Sequence, residues 1–204
     1  MSDPHRSSPA VGLWEFDSIA EGISIADAIA KNAPVAMITT GTTQPGKYLV
    51  LVAGDTASVS VALDVVSDAD ADTLIDSVFL PDIDPAVANA VVTGSLASPS
   101  TAEAAGIVET SSVSAAIEGA DAAVKDADVN LAVLRLADGL GGKAFFVVDG
   151  SIGEVSSSVA AAEERCGTRL VGSTVIPQLT DEIRADLASS SLFRVTLTGN
   201  QGSP

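Results

Sequence analysis

The chain is poor in the residues on which most catalytic and metal sites depend. It has one histidine, His5, in a polar N-terminal stretch, and one cysteine, Cys166. Without a histidine in a folded segment a Ser–His nucleophile cannot form, and a single thiol cannot hold a zinc ion or an iron–sulfur cluster. A lone cysteine also excludes an intrachain disulfide, so a reducing cytosol is the expected environment. We therefore expect no catalytic residue, no metal site and no cofactor.

Basic residues, aromatic residues and long apolar runs are also scarce. The chain has 10 Lys and Arg against 27 Asp and Glu, a formal net charge of −17, and aromatics make up only 3% of it. Nucleic-acid binding needs clustered basic residues, so this balance argues against such a partner. No apolar run approaches the roughly 20 residues of a membrane-spanning helix. Residues 1–9 also lack the apolar segment of a signal peptide.

The chain does contain one sequence unit twice. Residues 46–54 (GKYLVLVAG) and 142–150 (GKAFFVVDG) both run Gly-Lys, apolar strand, Gly, at numbers 96 apart. Upstream the offset is 94, which pairs Glu15 with Glu109, Asp27 with Asp121, and Lys31 with Lys125. We call residues paired in this way matched positions. The repeat predicts two similar units of about 90 residues each.

Each unit has the order strand, helix, strand, strand, helix, strand, followed by a short helix. The predicted strands are 10–16, 35–40, 47–53, 74–80, 105–110, 129–135, 143–149 and 170–176. The predicted helices are 18–32, one starting at 55 or 56, 85–92, 113–125, 152–165 and 181–187, with loops at 41–46 and 67–72. This order predicts an α+β fold of two tandem ferredoxin-like split βαβ domains, each an antiparallel sheet with helices on one face.

The predicted domain limits follow from composition. Residues 1–9 form a polar, disordered tail, 10–93 the first domain, and 94–104 a Ser/Thr/Gly/Pro-rich linker. Residues 105–190 form the second domain, and 191–204 a C-terminal extension with a short strand at 191–198.

Two motifs resemble ligand-binding sites, one for phosphate and one for calcium, but lack residues that those sites need. Residues 41–47 (GTTQPGK) match a phosphate-binding loop, but Tyr48 replaces its Ser or Thr, a strand follows instead of a helix, and Ala137 replaces the first glycine in the second copy. We interpret this segment as a glycine turn between strands. Asp68, Asp70 and Asp72 resemble the start of a calcium loop, yet its later positions do not fit, so a solvated acidic turn is favoured.

A few single residues leave alternatives. Cys166 lies near Arg165 and Arg169, which would lower its pKa, but a buried apolar filler is the favoured interpretation. A Ser–Lys pair using Lys47 or Lys143 is conceivable, and no spacing supports it. Asp27–Lys31 and Asp121–Lys125 are i,i+4 pairs expected as surface salt bridges. The recurrence of this lysine in a chain poor in basic residues suggests a further role.

An ordered set of residues in the second half resembles the shell-protein domain (BMC domain) of bacterial microcompartments. The set consists of 106–110 (GIVET), 115–125 (AAIEGADAAVK), the glycine-rich loop before Lys143, and 175–177 (VIP). The first half is similar through 12–15 (GLWE), 26–28 (ADA), Lys31 and 80–81 (LP). Two fused copies resemble the tandem-domain (BMC-T) class. Each half begins at a G-[LI]-x-E strand, so the strand order looks unpermuted.

The resemblance implies a structural role in the bacterial cytoplasm. Three chains would form a pseudohexameric disc, a homotrimer that tiles with hexameric and pentameric shell proteins around encapsulated enzymes. The loops between the central strands would line a pore for small polar metabolites. Carried onto this chain, the pore-lining residues are Thr43, Gln44, Pro45, Gly46, Leu140, Gly141 and Gly142.

The resemblance also implies contacts at the edge of the disc. The family's edge lysine corresponds to Lys31 and Lys125, and Asp82 and Gln178 stand where relatives often carry an arginine. Some relatives hold an iron–sulfur cluster through pore-loop cysteines, which neither loop has here, so no cluster is expected. The alternative is a small-ligand-binding or regulatory protein built on two ferredoxin-like halves. It predicts a closed pocket and saturable binding of one metabolite.

Overall fold

A computed structural model describes residues 9–93, 102–137 and 139–189. The first half has strands β1 (Pro9–Phe16), β2 (Met37–Thr43), β3 (Lys47–Asp55) and β4 (Leu74–Leu80), with helices α1 (Ile19–Asn32), α2 (Thr56–Ala69) and α3 (Pro85–Thr93). The second half has β5 (Ala104–Thr110), β6 (Asn130–Leu136), β7 (Ala144–Gly150) and β8 (Leu170–Ile176), with helices α4 (Val113–Asp126), α5 (Ile152–Cys166) and α6 (Asp181–Ser189). A 3-10 turn, Gly167–Arg169, precedes β8. Most of the predicted tail and linker, and all of the extension with its strand at 191–198, lie outside the described residues.

The two halves repeat one sheet topology. The strand orders are β2-β3-β1-β4 and β6-β7-β5-β8, and all neighbouring strands are antiparallel. A register shift falls between Glu15 and Phe16 where β1 meets β4, and between Glu109 and Thr110 where β5 meets β8. The predicted α+β fold of two tandem split βαβ domains is confirmed, and the repeat extends to the position of the irregularity.

Polar caps fix where the four long helices begin. Their N-cap side chains accept a hydrogen bond from a backbone N–H three residues on, which satisfies one of the unpaired donors of the first turn. The caps are Ser18, Asp55, Ser112 and Ser151. At α2, hydrogen bonds from the Ser58 backbone N–H and hydroxyl hold the pKa of the Asp55 carboxyl below its usual value.

Two predicted loops are shorter than expected. The loop predicted at 41–46 is a turn of three residues, because Gly41, Thr42 and Thr43 continue the ladder with β3 as far as the Thr43–Lys47 pair. The loop predicted at 67–72 starts late, because α2 continues through Ala69. Asp70 then ends the helix at a φ of 45°, in the left-handed region that aspartate tolerates better than most residues. In both places the backbone hydrogen bonds of the strand or helix continue into residues whose composition predicted a turn.

In the first sheet, β1 is buried on both faces. Successive strand residues point to opposite sides, so Trp14 packs with α1 and α2 while Leu13 faces away from them. On that outward face, Leu13 and Val78 share one core cluster with Val113 and Ile117 of α4 in the second half. The corresponding outward face of the second sheet has only a small cluster of Ala105, Val133 and Val147, with Leu179 and Leu187 packed beside it.

Candidate functional site

The two predicted pore loops lie against each other. The first is the hairpin turn after β2, closed by a hydrogen bond of 2.9 Å from the Gly46 N–H to the Thr43 carbonyl, with a cis peptide bond between Gln44 and Pro45. A Cβ built on Gly142 of the second loop would lie 3.0 Å from the Gln44 carbonyl oxygen and 3.2 Å from Cε of Lys47. Residues almost a hundred positions apart thus meet backbone to backbone.

The second loop is longer and is held by its own hydrogen bonds. The Leu140 N–H donates to the Ala137 carbonyl at 3.1 Å, and the Lys143 N–H donates to the Leu140 carbonyl at 3.2 Å. Gly141 and Gly142 have φ of 63° and 81°, conformations that glycine adopts without strain. Of the seven predicted pore residues, four are exposed, Leu140 is half-buried, and two are buried, Thr43 and Gly142. The exposed four are Gln44, Pro45, Gly46 and Gly141.

A buried carboxylate joins the two halves next to these loops. Glu15 of β1 is 0% exposed; its Oε1 accepts from the Ser114 backbone N–H at 2.7 Å, and its Oε2 accepts from Lys47 Nζ at 3.3 Å. Ser114 lies in the first turn of α4, where unpaired N–H groups and the helix dipole favour a negative charge. The sequence comparison paired Glu15 with Glu109 without giving either a role. The signal was a carboxylate placed in an otherwise apolar strand in both copies.

Glu109, at the matched position, has no such cover. Its side chain is 43% exposed and accepts from Lys143 Nζ at 2.8 Å. The pair borders a surface depression of about 470 Å³ that is also lined by Ile107, Gly139, Leu140, Ala144 and Phe145. The same carboxylate and lysine therefore occur twice, once inside the protein and once beside an open hollow.

A charged network strengthens the contact between the two halves. Arg169 donates from Nη1 to Asp76 at 3.2 Å and from Nη2 to Glu118, and Ser112 of α4 also bonds to Asp76. Burial by itself lowers the pKa of the Arg169 guanidinium, but the bonds to Glu118 and Asp76 outweigh it and raise the pKa. We call the contact of α4 with the outward face of the first sheet, including Glu15 and this network, the joined junction.

Cys166 lies beneath α4. Its Sγ is 3.5 Å from the Ala115 carbonyl, and a Cβ on Gly119 would come within 2.6 Å of it. Burial raises the thiol pKa to about 11, and the nearby Arg169 charge offsets only part of that effect. A neutral buried thiol confirms the interpretation as an apolar filler.

The two edge lysines differ in their surroundings. Lys31 forms an exposed i,i+4 pair with Asp27, as predicted. The prediction of a surface pair is wrong for Asp121 and Lys125, because Asp121 is buried and also accepts from the Asp84 N–H at 2.7 Å. Lys125 Nζ, 2.8 Å from Asp121, reaches on to the Asp82 carbonyl.

The remaining predicted edge residue, Gln178, is exposed and donates from Nε2 to Glu103 at 3.4 Å. The structure thus brings Lys125 and Asp82 together, but neither is joined to Lys31 or Gln178. The segment that resembles a phosphate loop leads into β3, as predicted, and not into a helix. In the described ranges no group of three or more His, Cys, Asp or Glu side chains could hold a metal ion. No described helix is long and apolar enough to cross a membrane.

Comparison with known proteins gives consistent matches. The family model described as BMC domain matches twice, over residues 10–83 and 104–179. The chain is 39% identical over 173 residues to the bacterial microcompartment shell protein PduT of Citrobacter freundii, covering 84% of this chain and 93% of that protein.

Two solved structures extend the comparison. A microcompartments protein from Desulfitobacterium hafniense DCB has a TM-score of 0.75 and 37% identity, over 88% of this chain and 99% of that one. A fused permuted hexameric shell protein from the RMM microcompartment has a TM-score of 0.57 and 21% identity, over 78% of this chain and 83% of that one. At that lower identity the likeness concerns the fold alone.

Proposed function

The chain belongs to the BMC-domain family of bacterial microcompartment shell proteins, with two such domains in tandem, and from this premise we propose that three copies form a pseudohexameric tile with a central pore. The family is structural and not catalytic, and the place of its members is the microcompartment shell. As domain limits we propose 10–93 and 105–190 joined by 94–104; the family model matches residues 10–83 and 104–179.

The contact between the two loops carries the proposal. The halves share one fold, and equivalent loops touch where Gly142 approaches the Gln44 carbonyl. An approximate symmetry axis that relates the halves therefore passes close to both loops. Repeating that relation through further chains keeps every such loop around the same axis, and three chains supply six loops.

The exposed residues of the loops suit small polar metabolites. Gln44 offers a neutral donor and acceptor, Gly46 and Gly141 offer backbone groups, and Pro45 limits the mobility of the turn. The nearest lysines, Lys47 and Lys143, are paired with glutamates.

The rim of the tile is proposed to carry the contacts with other shell proteins, both hexameric and pentameric tiles. Lys31 lies on an exposed helix surface with only Asp27 as its ion-pair partner among the described residues. Lys125 is partly engaged by Asp121 and the Asp82 carbonyl. Lys31 is therefore the better placed of the two to reach a neighbouring tile, and we assign Gln178 and Asp82 to the same kind of contact.

Mass in solution and electron microscopy test this function. The tile predicts a trimer by light scattering and hexagonally tiled sheets in the concentrated protein. The alternative, a ligand-binding or regulatory protein of two ferredoxin-like halves, predicts saturable binding of one metabolite and no sheets. A monomer at high concentration without sheets would overturn the tile.

A further inference from the structure

The first turn of α4 is bonded to the strand that follows each of the two loops. It reaches the first loop through the buried Glu15, which accepts from the Ser114 backbone N–H at 2.7 Å and from Lys47 Nζ at 3.3 Å. Lys47 is the first residue of β3 and comes directly after the turn at 44–46. Hydrogen bonds to an ionised carboxylate are stronger than neutral ones, so the base of the first loop is firmly tied to α4.

The second loop is tied to the same turn through Thr110. This side chain is fully buried, and its hydroxyl oxygen lies 2.7 Å from the Ser112 carbonyl oxygen and 3.3 Å from the Ala144 carbonyl oxygen, so it donates to either one. Ser112 is the N-cap of α4, and Ala144 is the first residue of β7, two positions after Gly142. The hydroxyl thus links the start of α4 to the end of the second loop.

The aliphatic part of Lys47 lies next to the contact between the two loops. A Cβ built on Gly142 would lie 3.2 Å from Cε and 3.4 Å from Cδ of this lysine, as well as 3.0 Å from the Gln44 carbonyl oxygen. The side chain that Glu15 holds is therefore the one that the second loop packs against. Fixing Nζ of Lys47 also fixes where Gln44 and Gly142 meet.

The link through Thr110 has no counterpart in the first half. The matched residue is Phe16, which is buried in the core of that half and has no hydroxyl group. The first half nevertheless forms the same sheet topology as the second. The hydroxyl is therefore not needed for the fold of the unit, and what it adds is the bond between α4 and the second loop.

We propose that Glu15 is a positioning residue for the opening: together with Thr110, it makes the first turn of α4 set the distance between the two loops of one chain. The two loops move as a pair, because both are bonded to the same helix end. Glu15 is buried and acts on the passage through Lys47 without touching the permeant molecule. The inference rests on the proposed function for the role of the loops as pore lining, whereas the bonds themselves lie within a single chain.

Hydrogen exchange at the loops tests this positioning. Lys47→Met removes the ammonium group but keeps most of the aliphatic stem. In the folded protein the hydrogen-bonded N–H groups of Gly46, Leu140 and Lys143 should therefore exchange at least about tenfold faster. Circular dichroism and the melting temperature must show that the variant is folded.

A second buried ion pair supplies the matched control. Arg184 Nη1 lies 3.2 Å from Asp149, and this pair is buried to a similar degree as that of Lys47 with Glu15. Asp149 lies five residues along β7 from Ala144, near the end of the strand opposite the second loop. Arg184→Met should lower stability but leave exchange at the loop N–H groups unchanged, which a general loss of stability in Lys47→Met would not explain.

Thr110 gives an independent pair of variants, which also decides the matter if Lys47→Met does not fold. Thr110→Val keeps the shape of the side chain but removes the donor, so the Leu140 and Lys143 N–H groups should exchange at least about tenfold faster. Thr110→Ser keeps the donor and should leave their exchange unchanged. Equal exchange in these two variants would overturn the role of the hydroxyl.

Permeation through assembled shells provides the functional readout. Loosened loops give a spread of widths, so shells built with Lys47→Met should discriminate less between a small and a larger polar substrate of an enclosed reporter enzyme. Shells built with Arg184→Met should discriminate as the wild type does. Unchanged loop exchange in Lys47→Met, or an equal increase in Arg184→Met, would overturn the positioning and leave the tile standing. A monomeric wild type would overturn the tile, and the exchange within one chain would still decide the positioning.

Discussion

Glu15 and Glu109 hold matched positions on matched strands, with matched lysines and the same register irregularity, yet one is fully buried and the other is 43% exposed. Nothing in the local sequence distinguishes them. The difference lies in what covers each one: α4 covers Glu15, and none of the helices in the described part of the chain covers Glu109 in the same way. The repeated sequence therefore determines the fold of each unit, and the packing of the neighbouring unit determines which of its polar groups are buried.

The residues of the joined junction and those at the matched positions also differ in charge. The joined junction includes the network of Arg169 with Asp76 and Glu118. Their matched positions are Thr73, Gly172 and Ser24, none of which carries a charge. The repeat therefore keeps the carboxylate of the strand, Glu15 or Glu109, but not the ion pairs of the joined junction.

Removing the buried carboxylate should have the largest effect. Glu15→Ala leaves the Ser114 N–H and Lys47 without their partner inside the protein, and should lower the free energy of unfolding by about 3 kcal/mol. Glu109→Ala removes an exposed pair and should cost less than about 1 kcal/mol. Urea denaturation measures both. Equal losses would contradict the claimed difference between the two ends.

Removing the guanidinium should have the next largest effect. Arg169→Ala loses partly buried bonds to Asp76 and Glu118, and we expect a loss of about 2 kcal/mol. Arg165 also pairs with Glu118, at 2.8 Å, but its side chain is 55% exposed, so Arg165→Ala should cost under about 1 kcal/mol. Urea denaturation of the two variants in parallel measures the loss in the free energy of unfolding for each. If Arg165→Ala were the more damaging change, the network would not be centred on Arg169.

Substitutions at two adjacent glycines should distinguish a role in packing from a role in lining the proposed pore. A Cβ at Gly142 meets the Gln44 backbone at a φ of 81°, whereas nothing lies within 4 Å of one at Gly141. Gly142→Ala should therefore cost about 1 kcal/mol or more. Gly141→Asn suits a left-handed φ and should leave trimer mass and melting temperature unchanged while it narrows the pore.

Permeation measures the second half of that prediction. Shells that enclose a reporter enzyme should convert an external polar substrate more slowly when built with Gly141→Asn. If this variant fails to assemble, the second loop is structural and the pore assignment is wrong.

The smallest expected effect is the response of Cys166, which reports on the joined junction from beneath α4. Burial stabilises the neutral thiol and so raises its pKa to about 11; at pH 8 the thiolate that reacts with alkylating reagents is scarce. Labelling at pH 8 should be slow in the folded wild type, because α4 keeps the thiol buried. It should be fast in urea. Rapid labelling of the folded wild type would contradict the burial of Cys166 beneath α4.

The sequence predicted the fold of each unit but not the contacts between the two units. Alternating and helical apolar patterns predicted the order of elements, and the limits of β4 and β8 agree with the predicted 74–80 and 170–176. Asp121 looked like half of a surface pair because its own helix supplies Lys125, and only the approach of the Asp84 N–H from the first half makes it interior. Contacts between halves depend on orientations in space, which periodicity along the chain does not encode.

The difference in length between the two loops affects how the lining of the proposed pore can evolve. A ring of six identical domains alters six lining positions with every substitution, so any new side chain must tolerate five copies of itself at close range. In this chain a short turn at Gln44 lies against a longer, glycine-rich loop at Gly141, and the proposed ring would contain three copies of each. In a three-chain ring a substitution in either loop appears only three times. The two loops are then free to diverge, one setting the width of the passage and the other its chemistry.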